Sequence, residues 1–537
     1  MRASFRAGCA PGGMPTTYVE RAVEVTRTKP LGIRRAIARS ERLLKTSSVV
    51  SLEGPPRSFG RARAGPVVGF FGFPPRVEHG GYEMVVLTDE MIEGLRAGLE
   101  GSVLTPGDDA YDDVRRIHNG LIDKRPSLIA RCRTSSDVAV AVRAARDCGL
   151  EVSVRGGGHN VAGQAVTDGG LMIDLSLMKD VQIDPTERTI TAGGGVTWGE
   201  FNVAAHEKGL ATTGGIISTT GIAGLTLGGG LGWIMGKYAM AVDNLVSAEV
   251  VLASGEIVHA NAETNTDLFW AIRGGGGNFG VVTSFTYRAH QLSTVLGGVV
   301  VHPLAAARDA LKFFRDVTAS LPDELTVFAA LRHAPDGSGM KLCGIAICHV
   351  SPDEAQAERD VKPIREFGPP VMDMIERMPY PVVNTMTDDA FPRGYLNYWK
   401  SAFFTDLSDD AIDKLVTAFE ATPTTSCFLV IEHFHGAVTR IEPTATAFPH
   451  RAPGYNLIII SQWTEPAQTD DCIAWARQTY DSLRPHMADS AYVNYLDIDD
   501  GNRVRAAYGP NYDRLRELKR RYDPDNLFHL NQNIPPS

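Results

Sequence analysis

At 537 residues the chain is well beyond the size at which one hydrophobic core stops growing, so two or more structural units with room for a buried cofactor are expected, and a small binding module is not. Its 43% hydrophobic and 22% charged residues are those of a globular protein, and a net charge of −10 gives no general attraction to nucleic acid or an anionic membrane. Small molecules are the expected partners. Seven cysteines (Cys9, Cys132, Cys148, Cys343, Cys348, Cys427 and Cys472) lack both the density of a disulfide scaffold and the paired spacing of a zinc site, and read as buried thiols.

No run approaches the ~18 apolar residues needed to cross a bilayer, so no membrane insertion is expected. Residues 1 to 84 read as a disordered extension, Arg-rich at first and then Gly/Pro-rich from Gly54 to Gly81. The apolar patch Val67 to Phe73 is too short and too late for a secretory signal, and Met84 offers an alternative start, so a cytoplasmic location is the expectation.

Order begins near Thr88, where Met91, Leu95 and Leu99 recur at helical spacing. After a short strand at Leu128-Ile129, Thr134 and Asp137 stand in capping-box spacing before a helix that Gly149 ends. Strands follow at Leu150 to Val154 and Leu171 to Leu175, and a second capping box, Thr197 with Glu200, opens a helix closed by Gly209. Ser247 to Ala253 and Glu256 to Ala260 flank Ser254-Gly255 as a hairpin, Asp267 to Ile272 reads as a helix, and Val281 to Arg288 alternates as a strand. From about His290 the glycine runs disappear. To about Ser490 amphipathic helices (Ala305 to Leu321, Asp409 to Ala421) mix with strands (Cys427 to Glu432, Leu457 to Gln462), which predicts a second domain. A helix at Tyr512 to Arg521 and an Asn-rich tail end the chain.

Three glycine clusters dominate: Arg155-Gly156-Gly157-Gly158-His159-Asn160, then Gly221 to Gly232 with Gly228-Gly229-Gly230 inside it, then Gly274 to Gly277 before Asn278-Phe279-Gly280. Consecutive glycines let backbone N–H groups close on a pyrophosphate. A dinucleotide fingerprint of the Rossmann type needs strand, glycines, then helix, whereas the first cluster lies between two strands and the last follows a helix. A P-loop fails too, since the segment from Gly232 to Lys237 has the wrong spacing and is followed by Tyr238. His159 stands at the edge of the first cluster, where a nucleotide cofactor would approach the backbone.

Together these segments, with Gly221-Ile-Ala-Gly224, Asp243-Asn244, Arg273-Gly-Gly-Gly-Gly277-Asn278 and Tyr522-Asp-Pro-Asp-Asn526-Leu-Phe528, resemble the FAD-linked oxidases of the vanillyl-alcohol-oxidase/PCMH fold. The resemblance is to the berberine-bridge-enzyme-like branch, which includes bacterial hydroxynicotine and aclacinomycin oxidoreductases, and runs from about residue 85 to the end. It implies an α+β chain: a PCMH-type two-subdomain FAD-binding domain over 85–290, an inserted α/β substrate domain of antiparallel sheet plus helices over 291–490, and a C-terminal segment, 491–537, completing the FAD domain. It also implies FAD joined covalently to His159, with Val282 and Asn531 alongside the glycine clusters as cofactor contacts. Many relatives add a second link through a cysteine, but Ile217 occupies that position, so a single link is expected.

Oxidation of a C–H next to oxygen or nitrogen removes a hydride from carbon while the heteroatom loses its proton, so a base is needed near the flavin. Tyr492 and Tyr495 match a family segment that faces the flavin; in a strand, their i, i+3 separation would point them to opposite faces, leaving one as the base. Relatives often carry a tyrosine within the segment Glu432-His433-Phe434-His435, where Phe434 stands, which weighs against a two-tyrosine mechanism. Phe434 and His435 are expected to line the substrate cavity. His433 and His435 share a strand face, but no Cys or carboxylate signature accompanies them and no metal is expected. Thr220, at the position where the family controls oxygen access, is no bulkier than valine and favours O2 as acceptor. The sequence thus predicts a FAD-dependent oxidase acting on a small metabolite. Drug sequestration by a flavoprotein without turnover is the alternative, and a flavin-free carbohydrate-binding or structural protein a third.

Overall fold

The computed structural model describes residues 76–79, 82–85 and 87–537. Arg76–His79 and Tyr82–Val85 pair as a short antiparallel hairpin inside the segment expected to be disordered, and the remainder of that extension lies outside the described residues.

A four-stranded sheet comes first, in the order Ser102–Leu104, Leu128–Arg131, Leu171–Asp174, Val152–Arg155. Its last three strands are mutually parallel. The helix Ser135–Cys148 starts on a complete Thr134/Asp137 capping box and ends at Gly149. Its apolar face, including Val138, Ala141, Val142 and Ala145, is buried with the helix Asp89–Gly98 against this sheet. A second sheet of five antiparallel strands runs Ile257–Asn261, Leu245–Val251, Val281–Arg288, Thr189–Gly193, Val181–Asp184. Its core holds Trp198, Phe201, Phe285 and Tyr287, with residues of the helix Thr266–Ile272 and of the C-terminal segment.

The third sheet is antiparallel and larger. It runs from the short strand Met372–Asp373 through Thr294–Pro303, Lys341–His349, Leu325–His333, Phe428–Phe434 and Gly454–Trp463 to Leu396–Phe404, with Glu376–Pro379 also paired to Thr294–Pro303. The helices Ala307–Thr318, Glu354–Glu366, Asp409–Glu420 and Thr469–Leu483 bury their apolar residues against one face. Its other face packs Phe328, Phe403 and Phe434 against Trp233, Met240 and Tyr492, and Trp399, Phe428 and Ile460 against Val161. That face therefore lies against the segments that carry the glycine clusters.

The tail closes the molecule through buried polar groups. Lys519 Nζ donates to the Asn278 carbonyl at 2.8 Å, to Asp523 Oδ2 at 2.7 Å and to the Phe528 carbonyl at 2.9 Å. Asn278 in turn donates to the Gln532 carbonyl and accepts from the Ile534 amide. The six described cysteines are free and buried. No helix among the described residues is long and apolar enough to cross a membrane.

Candidate active site

Two glycine loops meet at their backbones. A Cβ on Gly157 would stand 2.2 Å from the amide nitrogen of Gly221, and one on Gly221 would stand 2.2 Å from that of Gly157, so only glycine permits this approach. Gly158 accepts from the His118 amide at 2.9 Å, and a Cβ on Gly156 would press on the Gly194 carbonyl. By contrast, no atom lies within 4 Å of where a Cβ would stand on Gly224 or Gly277. Their open faces suit the close approach of a cofactor.

His159 sits at this junction. Its Nε2 lies 2.9 Å from Thr219 Oγ1 and its Nδ1 3.3 Å from Thr220 Oγ1, while its ring stacks on His118 with centroids 4.1 Å apart. Desolvation first, then the His118 ring and the Arg393 charge, hold the imidazole well below its ordinary pKa, and burial takes His118 down to about 4. Both rings are thus neutral at pH 7. Neutral imidazole is the nucleophilic form, which suits His159 to carry a covalent group.

Several residues expected at the cofactor are engaged by protein. The Arg155 guanidinium pairs with Asp174 at 2.8 Å and donates to the Val114 carbonyl. Asp243 holds Arg451 through two bonds of 2.8 Å, and Asn244 bonds the Tyr238 and Met240 carbonyls and His290. Asn160 Oδ1 accepts from Gln164, Val282 is in the core of the five-stranded sheet, and the Asn278 side chain is bound by the tail. Asn531 donates to the Phe528 carbonyl but its buried Oδ1 has no partner.

The run Gly228-Gly229-Gly230 serves a different neighbour from the phosphate expected of it. Gly229 and Gly230 have φ of 140° and 90°, and Cβ atoms on Gly228 and Gly229 would strike Asn494 and Tyr492. The amide of Gly230 donates to Tyr492 Oη at 2.8 Å. These glycines admit the C-terminal segment to the site.

That segment corrects the reading of the tyrosines. Val493–Tyr495 is a 3₁₀ turn following Tyr492, not a strand, and residues three apart in such a turn eclipse one another. The two rings therefore lie together, edge to face, with centroids 4.7 Å apart. Their surroundings disfavour a free phenolate. Burial, and next to it the charge of Glu432, push the Tyr495 phenol well above its ordinary pKa, and burial raises Tyr492 against the opposing bonds from Gly230 and Asn494.

The group that sequence reasoning passed over is Glu432. It is 1% exposed on the strand Phe428–Phe434, with Oε1 accepting from Tyr495 Oη at 3.1 Å and Oε2 from Asn456 Nδ2 at 2.7 Å. Burial raises its pKa to about 7 against these two bonds. Strand alternation was the available signal, because it puts Glu432 on one face with Phe434 and leaves His433 and His435 on the other. Phe434 packs with Tyr492 and Phe403 as a site residue should. His435 does not join it: it stacks on His433 at 4.8 Å, against Gly236, and His433 in turn meets Tyr455 of the helix-side core.

Comparison with known proteins identifies the family. The model of the FAD binding domain matches residues 126–261, and that of berberine and berberine-like proteins matches 491–535. A FAD-linked oxidoreductase of Dictyostelium discoideum is 30% identical over 83% of this chain and 97% of its own length. The (R)-6-hydroxynicotine oxidase of Paenarthrobacter nicotinovorans is 32% identical over 82% of this chain and 97% of its own. The crystal structure of 6-hydroxy-D-nicotine oxidase from Arthrobacter nicotinovorans superposes with a TM-score of 0.76 at 30% identity, covering 82% of this chain and 98% of that one. With its PCMH-type α+β fold and relatives matched over nearly their whole length, the chain belongs to the berberine-bridge-like FAD-linked oxidoreductases.

Proposed function

We propose that the chain is an oxidase that takes a hydride and a proton from a CH–NH or CH–OH group of a small molecule, with FAD joined to His159 and O2 as final acceptor. The observation that carries this reading is the buried set Tyr495–Glu432–Asn456 on the sheet face that meets the glycine loops. When bound, FAD supplies the acceptor for the substrate's hydride. The loop backbones at Gly224 and Gly277 and the neutral ring of His159 hold it, Asn531 Oδ1 offering one further polar contact.

Glu432 does the proton chemistry. A carboxyl with a pKa near 7 is divided between its two forms at neutral pH, and its carboxylate accepts the proton of a substrate N–H or O–H. Tyr495 and Asn456 fix the carboxylate's orientation, while Asn456 Oδ1, which has no protein partner, is an acceptor left for substrate. Tyr492 Oη accepts from the Gly230 amide and from Asn494 Nδ2, so its own proton remains to be donated. Phe403 and Phe434 exclude water from the proton's path. Thr220, bonded to His159, is small enough to leave oxygen a route.

The test is a visible spectrum of the purified protein followed by acid precipitation. Yellow colour in the pellet, lost in His159→Ala, is the expected result; colour released by acid removes the covalent link, and a colourless protein removes the reading.

A further inference from the structure

The substrate-side sheet face carries a cation that the proposed mechanism leaves unused. Along Leu325–His333, the residues Leu325, Val327, Ala329 and Leu331 belong to the helix-covered core, so Phe328, Ala330 and Arg332 alternate onto the opposite face. Phe328 pairs with Glu432 and Ala330 with Val430, which puts Arg332 one row further along, level with Phe428. Phe428 packs with Val161, close in sequence to His159, and with Phe391. Arg332 therefore shares a face with Glu432, at the other end of the same file of residues.

Arg332 is partly buried, and its side chain makes neither hydrogen bond nor ion pair with any described residue. The opposing charge that reaches it is Asp389, exposed on the turn Asp388–Ala390. That turn is docked on the segment preceding the His159 threonines: Asp388 accepts from the Ser218 amide at 2.8 Å and from its hydroxyl at 2.5 Å, and Thr387 donates to the Ile216 carbonyl at 2.6 Å. The charge that acts on Arg332 is thus carried by a turn anchored to the segment leading to Thr219 and Thr220. A guanidinium stays charged when desolvated, and a buried charge without a partner is unfavourable until an anion joins it. Its planar fork matches a carboxylate with two parallel bonds.

We infer that the substrate is an acid whose carboxylate is received by Arg332 while its CH–NH or CH–OH group lies beside Glu432. This rests on the reading of Glu432 as proton acceptor. Four residues of strand separate the two rows, about 13 Å at ~3.3 Å per residue, less the reach of the arginine side chain, so the acid is an elongated one.

The test uses the flavin-loaded full chain and follows the flavin absorbance during titration with phenylbutyrate and with its neutral amide, phenylbutyramide. The acid is expected to bind about ten- to a hundredfold more tightly than the amide, with the difference lost in Arg332→Gln and largely restored in Arg332→Lys. The wild-type comparison needs no variant to fold. Equal binding of acid and amide, or binding of neither, overturns the inference, as does a preference that survives in Arg332→Gln. Where acid and amide bind alike to a yellow, flavin-loaded protein, only the anion assignment fails; a protein without flavin overturns the parent reading as well.

Discussion

The phenol of Tyr495 donates to Oε1 of Glu432 across 3.1 Å, tying the C-terminal segment to a strand that precedes it by sixty-three residues. Each group shifts the other: the carboxylate's charge discourages ionisation of the phenol, and the phenol's bond stabilises the carboxylate. In the proposed reaction this pair takes up one proton, and Glu432 is the member that receives it.

Replacement of Glu432 by Gln keeps the shape and removes the base. Flavin reduction by substrate is expected to slow by roughly 10² to 10⁴ with covalent flavin retained, measured by stopped-flow absorbance. In the wild type, kcat/KM should fall as pH drops through about 7, since the protonated carboxyl cannot take a second proton. Tyr495→Phe should move that inflection upward by removing a bond that favours the carboxylate. A profile without a break near neutrality would reject Glu432.

The same substitution should stabilise the protein at high pH. The folded pKa of Glu432 is raised above its unfolded value, so the folded state binds more protons between about 4.5 and 7, and stability declines as pH rises through that window. The decline amounts to about 3 kcal/mol at most. Melting curves of wild type and Glu432→Gln, close together at pH 5, should separate by pH 8 in favour of the variant.

Gly221→Ala places a methyl group 2.2 Å from the Gly157 amide, where backbone and not a flexible side chain must yield. A loss of about 1–3 kcal/mol is expected, together with reduced covalent flavin, because the clash separates the loops on either side of His159. Gly224→Ala meets no atom of the protein, and should spare stability while weakening flavin retention. Comparable melting losses in both variants would contradict this division of roles.

Lys519 and Asp523 are both fully buried, and Lys519→Ala leaves the Asp523 carboxylate without its cation and the Asn278 carbonyl without its donor. A loss of about 3–5 kcal/mol in thermal or denaturant unfolding is expected. A change below about 1 kcal/mol would show that the tail contributes little to stability.

Elements governed by local chemistry were legible from sequence. Both capping boxes form at Thr134 and Thr197, the hairpin about Ser254-Gly255 pairs as the alternation requires, and the first two glycine clusters meet at Gly157 and Gly221. Long-range contacts decided the rest. Nothing local distinguishes a 3₁₀ turn at Tyr492 from a strand, because the turn follows from the bond to Gly230, 262 positions away. Glu432 was hidden beside two histidines of more conspicuous chemistry. Nor does the sequence show that Arg451 and His290 bond the side chains of Asp243 and Asn244.

The clip at Lys519 has a consequence for biosynthesis. The loop at Asn278 reaches its final bonding only through residues 519 to 534, made some 240 positions after it. The strands of the third sheet lie between them in the chain, so the glycine-loop half of the fold gains these closing contacts only after that sheet has been made.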